Sequence, residues 1–123
     1  MISGFFVGNI PWIELVVTWQ NSAYNITAIL DTGFSGDLQI TPRIVQELSL
    51  PSFGTIEARI ANGAIVTVPV VLAATTLEGV HKQIQVLVSN STPLVGIDLL
   101  SKFSYKAVVD CKNKTVALQK VQS

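Results

Sequence analysis

The chain has 123 residues, of which 49% are hydrophobic and 13% are charged, and its formal net charge at pH 7 is zero. This length suits one domain with its own core, so we expect residues 1–123 to form a single domain. The balanced charge excludes the concentrated basic surface that nucleic-acid binding requires, and the scarcity of charged side chains indicates that part of the surface is buried against a partner.

Short strands separated by turns are predicted along most of the chain, because Val, Ile, Thr and aromatic residues recur in short runs bounded by Gly, Asn, Pro and Ser. The predicted strands of the first third are residues 2–7, 12–19, 24–30 and 37–40. The second and third of these strands should form a hairpin. A short helix is expected to begin at Pro42, with Thr41 as its N-cap, and to end near Leu48.

The rest of the chain contains the strongest hairpin signal, Asn62-Gly63, within a predicted turn at Ala61, Asn62 and Gly63. Pro69 lies inside the second arm of that hairpin, which requires a sheet edge or a bend there. The predicted elements are strands at residues 55–60, 64–74, 80–88, 94–95, 105–110 and 115–121, and a helix at 97–102. These elements predict an all-β fold with two short helices.

An Asp-Thr-Gly sequence at Asp31, Thr32 and Gly33 follows the apolar strand directly. A buried strand delivers the next side chain to a fixed place, and a glycine two residues later can bring its amide close to a carboxylate. The Thr hydroxyl can tie the loop down. The tripeptide alone also fits a plain turn in which Asp31 accepts backbone amides.

One carboxylate is poorly suited to peptide hydrolysis, which needs a base for water and an acid for the carbonyl oxygen and the leaving amine. Two carboxylates that share one proton fill both roles. The chain has a single Asp-Thr-Gly, whereas a two-lobed single-chain enzyme of this kind needs two. If Asp31 is catalytic, its partner is therefore Asp31 of a second copy across a two-fold axis.

Three sequence elements in order carry a resemblance to a known family. They are residues 28–40, which read AILDTGFSGDLQI, the hairpin tip at Ala61, Asn62 and Gly63, and residues 94–100, which read LVGIDLL. With this spacing, the sequence resembles the retropepsin-like aspartic proteases over nearly its whole length, and most closely the small bacterial members.

The resemblance implies a closed β-barrel that is one half of an acid protease and works as a homodimer. It implies an aspartic endopeptidase that cleaves an extended peptide or protein with water activated by two Asp31 carboxylates, without metal or cofactor. Thr32 would reach across the two-fold axis, and the hairpin tip would be a flap over the substrate. The implied site residues are Asp31, Thr32 and Gly33 for catalysis, Phe34, Ala61, Asn62 and Gly63 for substrate binding, and Leu94, Val95 and Gly96 for support of the catalytic loop.

Three features depart from the retroviral members of this family. Phe34 replaces the usual Ala or Ser after the tripeptide, so it should fill the cleft wall or reshape a substrate pocket. Gly96-Ile97 replaces a Gly-Arg pair, which leaves the role of the arginine in bracing the loop unfilled or differently filled. The flap is not rich in glycine. An alternative is therefore a catalytically weak or inactive protease-fold domain that binds peptides, and a third is a structural dimerisation module.

Four other side chains have simpler interpretations than catalysis. Asp98 lies where the second helix begins, so it suits a first-turn acid. His81 has no cysteine or acidic neighbours spaced for zinc. Ser35 does not stand in a Gly-x-Ser-x-Gly nucleophile elbow, and Cys111 precedes a Lys-rich turn as a structural thiol.

A cytoplasmic location is expected from three further observations. Cys111 is the only cysteine, so no intrachain disulfide demands an oxidising compartment. The first basic residue is Arg43, so the N-terminal part lacks the basic segment of a signal peptide. No apolar run approaches the roughly 20 residues of a membrane span, so we expect no membrane partner.

Overall fold

The computed structural model of the protein describes residues 1–122, which form eleven strands and two short helices. The strands are β1 (Ile2–Ser3), β2 (Phe5–Val7), β3 (Ile10–Trp19), β4 (Ser22–Leu30), β5 (Leu38–Ile40), β6 (Ser52–Arg59), β7 (Ile65–Leu77), β8 (Val80–Val88), β9 (Leu94–Val95), β10 (Tyr105–Asp110) and β11 (Thr115–Lys120). The helices are α1 (Pro42–Leu48) and α2 (Ile97–Lys102). The all-β class with two short helices is confirmed.

Eight strands form the larger sheet, in the order β2-β3-β4-β9-β5-β8-β7-β6. An additional pairing of β3 with β7, at Val17 with Thr75 and Thr18 with Ala74, closes this sheet on itself. The Thr75 hydroxyl, which is fully buried, donates to the Val16 carbonyl at 2.8 Å, so the closure leaves no unsatisfied hydroxyl. The closed barrel expected from the sequence is confirmed. The remaining strands form a second sheet in the order β1-β11-β10.

The insertion of β9 between β4 and β5 sets up the candidate site. Leu94 and Val95 pair in parallel with Ile29 and Leu30 at the end of β4. The same short strand pairs antiparallel with Leu38 and its neighbour in β5. The loop from β4 to β5, which carries the Asp-Thr-Gly sequence, therefore emerges beside a three-strand junction in the centre of the sheet.

The core is formed by strands in which buried and exposed side chains alternate. In β3, Ile13, Leu15 and Val17 are buried while the residues between them are exposed, as expected for strands with one face in the core. The helices close the core with buried aliphatic side chains on one face each, namely Ile44 and Leu48 of α1 and Leu99 and Leu100 of α2. No helix in residues 1–122 has the length and apolar character to cross a membrane.

The predicted strands and helices are present, but several boundaries differ. The strand β6 begins at Ser52 rather than at residue 55, and β7 ends at Leu77 rather than at residue 74. The predicted strand at residues 2–7 is split at Gly4, because β1 pairs with β11 whereas β2 pairs with β3. A Cβ atom at Gly4 would lie 2.1 Å from the Trp12 carbonyl oxygen, so the chain passes too close to β3 for any other residue. Pro69 faces an edge as predicted, since the pairing of β7 with β8 begins only at Val70.

Candidate active site

Asp31 stands at the end of β4, and backbone hydrogen bonds fix its position. Its amide donates to the Val95 carbonyl at 3.0 Å, and the Ile29 amide donates to the Pro93 carbonyl at 2.9 Å. The strand end is thus bonded to β9 and to the residue before β9, on both sides of the last core residue, Leu30, which is buried. The carboxylate that follows is half-buried and remains accessible.

The Gly33 amide donates to the Asp31 Oδ1 atom at 2.9 Å. A Cβ atom at Gly33 would lie 3.2 Å from the same oxygen, so a side chain there would crowd the carboxylate. Thr32 and Gly33 are both exposed. The Phe34 amide donates to the Asp31 carbonyl at 3.1 Å and completes a tight turn. This turn holds one carboxylate oxygen and leaves the other free for chemistry.

The loop after this turn is bonded to the start of α2. The amides of Gly96, Ile97 and Asp98 lack partners inside a helix that begins here, and the loop carbonyls supply them. The Gly96 amide donates to the Asp37 carbonyl at 3.1 Å, and the Ile97 amide donates to the Phe34 carbonyl at 2.9 Å. The Asp98 amide is shared between two further loop carbonyls at 3.2 and 3.1 Å. The loop from β4 to β5 and α2 therefore hold each other in place.

Position 96 requires glycine, because the backbone of the loop lies very close to the start of α2. A Cβ atom on Gly96 would lie 2.2 Å from the Gly36 carbonyl oxygen and 2.6 Å from the Phe34 carbonyl oxygen. The Phe34 ring packs over Gly36 and Gly96, since a Cβ atom on either glycine would lie 2.7 Å from a ring atom. The half-buried Phe34 ring thus covers the junction of the loop and α2.

Asp37 is a buried acid whose role the sequence did not reveal. Only 5% of it is exposed, and its Oδ2 atom accepts from Lys102 Nζ at 2.6 Å and from the Gln85 amide at 3.0 Å. Its Oδ1 atom is buried without a partner among residues 1–122. The positive charge that neutralises Asp37 therefore comes from Lys102, in the last turn of α2. No local pattern marks a pair 65 residues apart; only the placement of Lys102 in the last turn of a helix hinted at its position.

The predicted flap is the β6–β7 hairpin, with its turn at Ala61, Asn62 and Gly63 as the sequence indicated. The Asn62 Oδ1 atom accepts from the Ala64 amide at 2.9 Å, and Gly63 has a φ of 86°, which explains the Asn-Gly pair. The hairpin tip is exposed. A cavity of about 220 Å³ lies between Ile56 of this hairpin and Phe34 of the loop from β4 to β5.

The competing side chains lie apart from the Asp31 turn or have structural partners. His81 is exposed on β8, and its Nδ1 atom is 2.7 Å from the Thr76 hydroxyl. Cys111 is an exposed thiol in the turn between β10 and β11. Asp98 is the first-turn acid of α2, as predicted, and it also lines the cavity beside Phe34. Within residues 1–122, no three His, Cys, Asp or Glu side chains are grouped as a metal site.

Comparisons with known proteins agree with this fold. Residues 16–100 match the family model described as aspartyl protease. The EIAV protease complexed with the inhibitor HBY-793 is similar in structure, with a TM-score of 0.67 and 17% identity over 85% of this chain and 98% of that one. A retropepsin-like aspartic protease from Rickettsia conorii gives a TM-score of 0.60 and 19% identity over 100% of this chain and 91% of that one. No curated protein sequence matches the chain.

Proposed function

The chain belongs to the aspartyl protease family and has the retropepsin-like fold, and on this premise we propose that it is an aspartic endopeptidase whose active site is completed when two copies pair. One observation carries the proposal. Asp31 directly follows the buried Leu30 at the end of β4, remains accessible, and has the Gly33 amide 2.9 Å from its Oδ1 atom. A carboxylate that is both fixed and accessible is suited to activating water.

The second carboxylate would be Asp31 of another copy of the chain. The sequence contains one Asp-Thr-Gly, and a two-fold axis brings identical residues together without further design. Thr32, which is exposed, would bond to the loop of the second copy. Exposed apolar side chains on β2 and the start of β3, namely Phe5, Val7 and Ile10, support a partner surface on this chain.

The chemistry follows from two carboxylates in contact. At about 3 Å and an effective dielectric constant of ~20, two negative charges repel by roughly 5 kcal/mol, so the pair holds one proton near neutral pH. The ionised carboxylate would take a proton from water as the water oxygen bonds to the peptide carbonyl carbon. The protonated carboxyl would donate to the carbonyl oxygen, and a proton would pass to the amine nitrogen as the C–N bond breaks. The reaction has no covalent intermediate and uses no metal or cofactor.

The substrate would be an extended peptide or protein segment. The strand β6 is the last strand of the larger sheet, so its outer edge is available for main-chain pairing with a peptide. Closure of the hairpin tip would then exclude water from the cleft. In this proposal Ala61, Asn62, Gly63 and Phe34 contact the substrate, while Leu94, Val95 and Gly96 support the catalytic loop. The free, exposed thiol of Cys111 agrees with action in the reducing cytoplasm.

Replacement of Asp31 by Asn tests the proposal. Asp31→Asn keeps the size of the side chain and the acceptor for the Gly33 amide, but removes the charge that takes the proton from water. We expect peptide cleavage to fall by at least about a hundredfold, which is the low end of a general base contribution. Cleavage by the wild-type chain should also show a bell-shaped pH profile, because only the singly protonated pair is active.

Sedimentation of the same samples provides the control. The Asn variant should fold and form dimers as the wild-type chain does, so that the loss of cleavage reports chemistry alone. Wild-type cleavage rates in a folded, dimeric Asp31→Asn protein would refute the proposal, and so would full activity of a strict monomer. Tight peptide binding without any cleavage that depends on Asp31 would instead identify a peptide-binding domain with the protease fold.

A further inference from the structure

The cavity beside the catalytic loop has a composition that the proposed reaction does not explain. Its apolar wall comes from three elements, with Phe34 in the loop, Ile56 and Val70 in the flap hairpin and Leu87 in β8. Its volume of about 220 Å³ is below the roughly 300–1,000 Å³ of pockets for drug-sized ligands. The cavity is therefore sized for one side chain of a bound peptide.

Both ionisable residues that line this cavity, Asp37 and Asp98, are acids. The charge of Asp37 is offset by Lys102, whose Nζ atom lies 2.6 Å from Oδ2, and Lys102 does not line the cavity. Asp98 is exposed and accepts no hydrogen bond or ion pair through its carboxylate from residues 1–122. The cavity therefore has one uncompensated negative charge next to an apolar wall.

We propose, on the basis of the proposed protease function, that this cavity is a specificity pocket for a lysine or arginine side chain of the substrate. The hydrocarbon stem of such a side chain packs on Phe34, Ile56 and Leu87, and its cationic end reaches the carboxylate of Asp98. Long basic side chains are suited to this arrangement, since their stems are apolar and only their ends are charged. Asp98 is then a specificity-determining residue in addition to the first-turn acid of α2.

Pairing of two chains predicts at which substrate positions this pocket acts. A two-fold axis through the Asp31 pair places one copy of the pocket on each side of the cleaved bond. The preference for a basic side chain should therefore occur at two substrate positions that lie equally far from that bond. A pocket unrelated to the substrate path would show no such symmetry.

The test uses pairs of peptides that differ only by Lys or Met at one position, scanned along a sequence that the wild-type chain cleaves. Lys and Met have similar stems, so the ratio of their kcat/KM values reports the charge. We expect the wild-type chain to favour Lys by about tenfold at the two symmetric positions, as a hydrogen bond to a charged group allows. Asp98→Asn should bring the Lys-to-Met ratio of kcat/KM close to one. Asp98→Lys should make the peptide with Glu at these positions a better substrate than the peptide with Lys.

A control variant separates the pocket from the net charge of the chain. Glu14→Gln removes one negative charge on β3, at an exposed position that does not line this cavity, and should leave the Lys-to-Met ratio unchanged. Equal Lys and Met rates in the wild-type chain would overturn the proposal. A ratio that survives Asp98→Asn, or that falls equally with Glu14→Gln, would overturn it as well.

Binding measurements keep this inference separate from the proposed function. In the Asp31→Asn chain, fluorescence anisotropy of the same labelled peptides should show tighter binding of the Lys peptide, and Asp98→Asn in that background should remove the difference. If no cleavage depends on Asp31, the proposed protease activity fails while the binding ratio still decides the pocket. If cleavage depends on Asp31 and neither the rates nor the binding distinguish Lys from Met, the proposed protease activity is supported and the specificity pocket is refuted.

Discussion

Asp37 lies at the end of the loop from β4 to β5, and one of its carboxylate oxygens accepts two hydrogen bonds while the other has no partner among residues 1–122. A carboxylate that is only 5% exposed requires a charged partner, because burying an unpaired charge costs several kcal/mol. Lys102 is that partner. The base that braces this loop is therefore supplied from the last turn of α2, although the sequence has Ile97 where retroviral relatives carry arginine.

Replacement of Lys102 by Met tests this brace. Lys102→Met keeps the length of the side chain and leaves the Asp37 charge buried without its base. We expect the free energy of unfolding, measured with urea, to fall by about 3 kcal/mol. Arg43→Met is the matched control, because the ion pair of Arg43 with Glu47 is exposed and such pairs contribute at most about 1 kcal/mol. Equal losses in the two variants would show that the Lys102 pair has no special role.

At the scale of elements, α2 and the loop from β4 to β5 form one unit. Loop carbonyls take the place of a side-chain N-cap on α2, since no side chain caps this helix. The closeness of the two backbones depends on Gly96, whose missing side chain leaves room for the Gly36 carbonyl. A change at the start of α2 should therefore act on the Asp31 turn through the loop, although Gly96 is not itself expected to touch substrate.

Gly96→Ala should push α2 away from the loop between β4 and β5. The added Cβ atom would lie 2.2 Å from the Gly36 carbonyl oxygen, and a backbone oxygen cannot swing away as the end of a side chain can. We expect a loss of unfolding free energy above about 3 kcal/mol, beyond ordinary overpacking, together with loss of Asp31-dependent cleavage. Gly79→Ala is the comparison, because position 79 has open space and only a positive φ, 84°, so it should cost about 1–2 kcal/mol. Similar losses at both positions would contradict this account.

Elements marked by local chemistry could be predicted from the sequence. Pro42 at the first position of α1 and the Asn62-Gly63 turn have physical reasons that act within a few residues, and both are in the structure. The split of the first strand at Gly4 depends on its contact with Trp12, which no local pattern records. The same is true of the Asp37–Lys102 pair. The sequence thus predicted the Asp31 turn, but not the residues that brace the loop after it.

At the scale of the whole molecule, Tyr105 joins the smaller sheet to the larger one. It is buried in β10, and its hydroxyl donates at 2.6 Å to Oε1 of Glu78, which lies in the turn between β7 and β8. The ammonium of Lys120 lies 4.5 Å from the centre of its ring. Burial raises the pKa of the Tyr105 phenol well above its ordinary value, and the hydrogen bond to Glu78 raises it further. The neutral phenol is therefore part of what holds the two sheets together.

The raised pKa of Tyr105 predicts how the stability of the whole chain changes in alkali. The folded state holds the phenol proton more tightly than the unfolded state, which releases it near pH 10, so the contribution of Tyr105 is complete below about pH 10 and is lost as the pH rises further. The wild-type unfolding free energy should fall by roughly 1.4 kcal/mol per pH unit above that point from this group alone. Tyr105→Phe has no proton to lose there, so urea unfolding of both chains between pH 8 and 11 isolates the effect, and parallel pH curves would rule it out.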